Sequence, residues 1–160
     1  MTDLVPREAM APAERLDCIF CRIVRREAAA SVVHEDATTL AFLDIRPMNP
    51  GHVLVVPKAH AVHLEDLPPG ASGPVFEAAR EISAALRRSG IHCEAVSLYL
   101  ADGTEAGQEV PHVHLHVIPR FRGDGFGLRV GPTYGSLPPR GELEAQAAKI
   151  RTALAASTRR

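Results

Sequence analysis

An α+β fold built on an antiparallel sheet is the architecture this sequence predicts. Three observations lead to it. Five segments have strand character, they are joined by turns or by one long helix, and 160 residues suit a single ordinary domain. Apolar residues make up 46% of the chain and aromatics only 4%, with no Trp, so the core must be mostly Val, Leu, Ile and Ala.

Residues 1–16 mix charge, Ala and Pro without a clear period and read as a loose N-terminal tail. "CIFCRIVRREAAA" follows from Cys18, with Phe20, Ile23 and Val24 at helical spacing. "SVVHED" and "TTLAFLDI" are two strands around a turn near Glu35 and Asp36. "PMNPG" has turn composition, and "HVLVVPK" after it is a strand that ends at Pro57. "HLEDLPPGASGP" connects to a helix in which Val75, Ala78, Ala79, Ile82 and Leu86 form the apolar face. Ser72 is its expected cap, Pro74 lies in its first turn, and Gly90 stops it.

"CEAVSLYLA" is the fourth strand, "DGTEAGQE" a Gly-bearing loop, and "VPHVHLHVIPR" the last strand. "GDGFGLRVGPTYGSLPPRG" is a long Gly/Pro loop. "ELEAQAAKIRTALAA" is a closing helix with Leu143, Ala147, Ile150 and Leu154 on one side. The expected division is a tail over 1–16, a domain body over 17–120, and a loop and C-terminal helix over 121–160 that complete it.

Composition excludes several classes of function. A formal net charge of -1 gives no electrostatic ground for a nucleic-acid or membrane partner. No apolar run approaches the roughly 20 residues of a membrane-spanning helix, and the N-terminus lacks the apolar stretch of a secretory signal. Three cysteines make no disulfide framework, so a reducing, cytoplasmic setting is expected.

The chemistry concentrates in "EVPHVHLHVIPR", where His112, His114 and His116 alternate with Val113, Leu115 and Val117. Strand side chains alternate between faces, so the imidazoles share one face and the aliphatic residues can enter a core on the other. Three cationisable rings in register must lie beside solvent, a ligand or a metal. One ion for all three is disfavoured, because four steps of about 3.3 Å put His112 and His116 roughly 13 Å apart along a strand. Two neighbours can share a metal. Alternatively the rings divide their labour, one attacking and another orienting it or handling protons.

"HVHLHVI" resembles the His-φ-His-φ-His-φ-φ signature (φ, apolar) of the histidine triad superfamily of nucleotide hydrolases and transferases, whose Hint and Fhit branches it is most like. "DCIFCRI", "LAFLDIRP", "GHVLVVPKAH" and "DGTEAGQEVPHVHLHVIPR" are similar to that family's landmarks in the right order, over about Asp17 to Arg120. The resemblance implies attack by His114 on the α-phosphorus of a purine nucleotide conjugate, a dinucleoside polyphosphate or an adenosine phosphoramidate. A nucleotidyl-histidine forms, and water releases the nucleoside monophosphate. It implies that His116 contacts the phosphoryl or leaving-group side, that His112 supports the active ring, and that His52 pairs with the triad. It further implies ribose contact by Asp44, a purine wall of Phe20, Ile23 and Ile45, and nucleotide contact from Gly107 and Gln108.

Cys18 and Cys21 are half a zinc site by spacing alone, and two buried thiols or a redox pair would read the same way. The resemblance supplies the other half, because some members hold structural zinc through this pair, His60 and His112. It also implies a homodimer. Two positions depart from the family pattern. Ala101 stands where many members use Asn or Gln to hold the nucleotide, and Glu109 where many use Ser or Thr to touch phosphate. A carboxylate there repels phosphate unless it turns away, is protonated or meets a cationic leaving group, so Glu109 is expected to shift leaving-group preference. The competing functions are a hydrolase with zinc catalysis and a nucleotide-binding sensor with negligible turnover. Cys93 is expected to be a small buried residue, and His34, His63 and His92 surface residues.

Overall fold

The computed structural model describes residues 18–157, so the N-terminal tail expected over 1–16 lies outside the described residues. The elements in order are α1 (Ile19–Val24), β1 (Val32–Glu35), β2 (Thr39–Leu43), β3 (Val53–Pro57), α2 (Ser72–Leu86), β4 (Ala95–Tyr99), β5 (Leu115–Arg120) and α3 (Arg140–Ser157). Short 3-10 turns at Leu64–Asp66 and Thr104–Ala106 interrupt two of the connectors. No helix among the described residues is long and apolar enough to cross a membrane.

The five strands form one sheet in the order β1-β2-β3-β5-β4, and every neighbouring pair is antiparallel. Asp36 closes the β1–β2 turn, its Oδ1 accepting the Thr38 and Thr39 N–H groups at 2.7 Å each. The "PMNPG" turn needs its glycine twice over. Gly51 has φ +87°, and a Cβ there would stand 3.0 Å from Ile91 and 3.3 Å from Pro119.

Both faces of the central strands are covered. Ala41, Val53, Val55, Leu115 and Val117 pack with the face of α2 that the periodicity predicts, namely Val75, Ala78, Ala79, Ile82 and Leu86. Leu40, Phe42, Leu54 and Val56 point the other way and pack with Cys18, Phe20, Cys21 and Ile23 of α1 and its start. Six residues are too few for a stable isolated helix, and Cys18 makes no side-chain cap, so α1 owes its form to this burial.

Two local expectations are corrected. Ser72 is the first helical residue of α2 rather than its cap; Ala71 holds that position without a side-chain hydrogen bond. The last strand begins at Leu115, not Val110, so His112 and His114 precede the ladder. There the Val113 N–H donates to the Ala61 carbonyl and the His112 N–H to the Val110 carbonyl, both at 2.8 Å. One contact to a distant loop and one local turn stand in place of ladder pairing here.

The chain divides into two compact units, one ending at Gly125 and the other beginning at Phe126. The second contains the rest of the Gly/Pro loop and α3, on which Leu143, Ile150 and Leu154 are exposed.

Candidate active site and metal centre

Two sites are built side by side on the α1 face of the sheet. Alternation holds through the irregular lead-in to β5: Val113, Leu115 and Val117 are buried, while Phe20 meets the rings of both His112 and His114 edge-on, at 5.8 and 5.2 Å between centroids. His116 lies opposite Leu54 of β3 and Tyr99 of β4. The expectation of a shared imidazole face therefore survives, although only His116 belongs to the strand.

Hydrogen-bond partners assign the tautomers. His114 Nδ1 lies 2.7 Å from the carbonyl oxygen of His112. A carbonyl only accepts, so Nδ1 carries the proton and Nε2 keeps its lone pair. The Met48 N–H donates to His52 Nδ1 at 3.2 Å, which leaves the proton of His52 on Nε2. That Nε2–H donates to His116 Nδ1 at 2.9 Å, which leaves the proton of His116 on Nε2. The result is one ring with a bare nitrogen, His114, beside one ring with a donor, His116, their centroids 4.8 Å apart.

Burial favours the neutral form of His116 and of His52. Desolvation, with a smaller push from the His114 and His52 rings, takes His116 down to about 4 against the pull of Asp44. His52 is lowered as well, chiefly by burial, and Asp44 again opposes. Asp44 Oδ2 is 3.6 Å from His52 Nδ1, too far for a hydrogen bond, while Oδ1 accepts the Arg46 N–H at 2.8 Å.

His114, His116 and Asp44 line a cavity of ≈ 470 Å³, a volume suited to a small ligand. Phe20 and Ile23 are wall and core at once, 6% and 7% exposed. Ile45 also lines the cavity but is 91% exposed, so it is a rim residue rather than part of the core. Gly107 is on the lining with φ +89°.

Gln108 is placed differently from the expectation. Its Oε1 accepts the Gly103 N–H and its Nε2 donates to the Val62 carbonyl, both at 2.8 Å, and it is absent from the lining. The amide is engaged in shaping the loop.

Among the lining residues that escaped sequence reasoning, three make contacts that shape the site. Tyr99 sits over His116 at 5.6 Å, and its O–H donates to the Ala106 carbonyl at 2.6 Å, tying the glycine loop to β4. Met48 supplies the N–H that sets the His52 tautomer. Arg46 pairs with Glu109 across the cavity lining, Nη2 to Oε2 at 2.5 Å. The signal for Arg46 was the charge of Glu109 itself, which called for a cation. Ala101 is buried, with 2% exposure.

The second site is a Cys/His cluster. Cys18, Cys21, His60 and His112 each offer a ligand atom, and these atoms all lie within 4.8 Å of one another. A tetrahedral ion with Zn–S of about 2.3 Å and Zn–N of about 2.05 Å separates its nitrogens by about 3.4 Å and each nitrogen from a sulfur by about 3.6 Å. Here the His60 and His112 Nδ1 atoms are 3.2 Å apart, and His112 Nδ1 is 3.5 and 3.6 Å from the Cys18 and Cys21 sulfurs. His60 Nδ1 to Cys21 Sγ is 3.1 Å. His112 Nε2 donates to the Pro57 carbonyl at 2.9 Å, so Nδ1 presents its lone pair to the cluster. Burial pushes His112 down to about 4, and the neutral form is the one a metal needs. The donor set fits zinc. All four donors come from protein, the pattern of a closed structural site.

Cys93 is only partly buried, its sulfur directed to the Ala95 carbonyl at 3.2 Å. His34, His63 and His92 each stand beside a carboxylate, of Asp36, Asp102 and Glu94 respectively.

Known proteins share this fold. The family described as HIT domain matches residues 25–123. An uncharacterised HIT-like protein of Borreliella burgdorferi is 46% identical, covering 72% of this chain and 84% of its own. An adenosine 5′-monophosphoramidase of Schizosaccharomyces pombe is 36% identical, covering 77% of this chain and 89% of its own. The crystal structure of a zinc-bound histidine triad family protein from Mycobacterium smegmatis superposes with a TM-score of 0.67 at 39% identity, covering 86% of this chain and 98% of the other.

Proposed function

The chain belongs to the HIT domain family, and on that premise we propose that it is a nucleotidyl hydrolase or transferase acting at the α-phosphate of purine nucleotide conjugates. The observation that carries this is the pair of complementary tautomers in the cavity: bare Nε2 on His114 and Nε2–H on His116.

In the proposed first step His114 Nε2 attacks the α-phosphorus. The P–N bond forms and the bond to the leaving group breaks; the His116 Nε2–H donates a hydrogen bond to the departing atom, which takes its proton from solvent. In the second step water attacks phosphorus, the P–Nε2 bond breaks with its electron pair returning to His114, and the water proton passes to solvent. Splitting one displacement into two is what a nucleophilic imidazole contributes, and a positioned donor lowers the cost of the departing anion. The His112 carbonyl holds the His114 ring, and His52 holds the His116 ring. Asp44 suits ribose hydroxyls, and Phe20 and Ile23 suit the base.

We assign zinc to Cys18, Cys21, His60 and His112, where it would crosslink the start of α1 to the lead-in of β5. Four protein ligands leave no open position on it, which argues against zinc catalysis. A homodimer and a cytoplasmic setting belong to the same reading.

The test is trapping. Parent protein mixed with an α-32P-labelled adenosine phosphoramidate and quenched should retain acid-labile label, and His114→Ala should retain none. Label on the variant equal to that on the parent would refute the nucleophile. Tight binding with no turnover would favour a sensor.

A further inference from the structure

The charged side chains on the cavity lining, histidines aside, are Asp44, Arg46 and Glu109 among the described residues. Arg46 is therefore the one permanent cation available there to a phosphate chain. It is already engaged, its guanidinium against the Glu109 carboxylate, although the two lie 63 residues apart in sequence. Their side chains are 79% and 71% exposed, so the pair is weak enough to open for a ligand.

We propose that the Arg46–Glu109 pair selects the leaving group, favouring conjugates that release an amine carrying positive charge over conjugates that release a phosphate chain. This rests on the nucleotidyl-transfer reading above and adds the chemistry of the departing half. A phosphate chain that recruits Arg46 leaves the Glu109 carboxylate unpaired beside the same phosphates. A leaving group with an ammonium takes Glu109 as its partner and releases Arg46 toward the phosphoryl oxygens. Bonds formed and broken are those already given, and the pair acts on charge alone.

Placing one unit charge about 4 Å from another in a solvent-like dielectric changes a rate roughly five-fold, and more as water is excluded. The expected change in preference is about ten-fold, reduced by salt because both groups are exposed.

The experiment compares kcat/KM for two adenylates, the phosphoramidate of 1,3-diaminopropane and diadenosine tetraphosphate, in the parent, Glu109→Gln and Arg46→Gln. Glu109→Gln should cut the preference for the amine conjugate about ten-fold, and Arg46→Gln should raise it. Raising NaCl from 0.05 to 0.5 M should shrink the difference between parent and Glu109→Gln. A preference that Glu109→Gln leaves within two-fold of the parent overturns the role of the pair while the transfer reading stands. A parent that turns over neither conjugate overturns both.

Discussion

Replacing His52 tests the relay that sets the His116 proton. His52 is 1% exposed, accepts the Met48 N–H at 3.2 Å and donates to His116 Nδ1 at 2.9 Å. His52→Leu keeps an apolar filling and removes both bonds. Each is worth about 1 kcal/mol, and a stranded buried partner adds about 1–3 kcal/mol, so a stability loss of about 3–5 kcal/mol is expected. The catalytic effect has a separate origin. Without its donor, His116 samples both tautomers and more ring orientations, and only the Nε2–H form can donate a hydrogen bond to the leaving group. A positioned hydrogen-bond donor contributes about 10²–10³-fold, and partial loss of it should lower kcat about 10–100-fold. His52→Gln is the control, because its amide can donate to His116 and accept from Met48. The assay is kcat and KM on an adenosine phosphoramidate, with a urea melt for each variant. The reasoning expects Gln to recover most of kcat and Leu to lose it with little change in KM. If Leu keeps kcat within two-fold, or Gln fails as badly as Leu, the tautomer relay is wrong.

Other outcomes follow from the same geometry. Purified protein should carry about one zinc per chain, lost in Cys18→Ser and Cys21→Ser with a lower melting temperature; metal analysis and calorimetry check both, and an unchanged metal content would refute the site. His116 titrates near 4 in the folded chain against 6.5 unfolded, so the unfolded state binds more protons in that window and stability must fall as pH drops from about 6.5 to 4. The contribution is at most about 3 kcal/mol before solvent screening, and urea midpoints at pH 7, 6, 5 and 4 should show a shallower fall in His116→Gln. Gly51→Ala should cost about 2 kcal/mol, because a Cβ meets Ile91 at 3.0 Å and φ is +87°. Adding Ile91→Ala should recover the steric share and leave the backbone share.

Legibility tracked the range of the interaction. The five strands and the buried face of α2 follow from period-2 and period-3.6 patterns within short windows, and all five apolar residues named for α2 are buried. Ser72 misled because an N-cap is a matter of backbone dihedrals as well as residue type, and Ala71 takes the place in αR conformation. Gln108 matched a family landmark, yet its amide partners, Gly103 and Val62, are set by how two loops meet. Tyr99 looked like any strand residue until pairing put it opposite His116.

By itself the sequence determined that three imidazoles would share a face and three aliphatic side chains the opposite one, because alternation is a property of extended backbone. It also determined which residue types could ligate zinc and which could attack phosphorus. Tertiary structure alone decided how the three histidines differ. His112 faces Cys18, Cys21 and His60, His114 has its Nδ1–H on a backbone carbonyl, and His116 receives a proton donor from His52. Imidazole has two nitrogens, and which one holds the proton depends on partners that only the folded chain brings within about 3 Å. The same holds for Glu109, whose charge was plain in the sequence and whose partner, Arg46, emerged only when two distant loops met at the cavity.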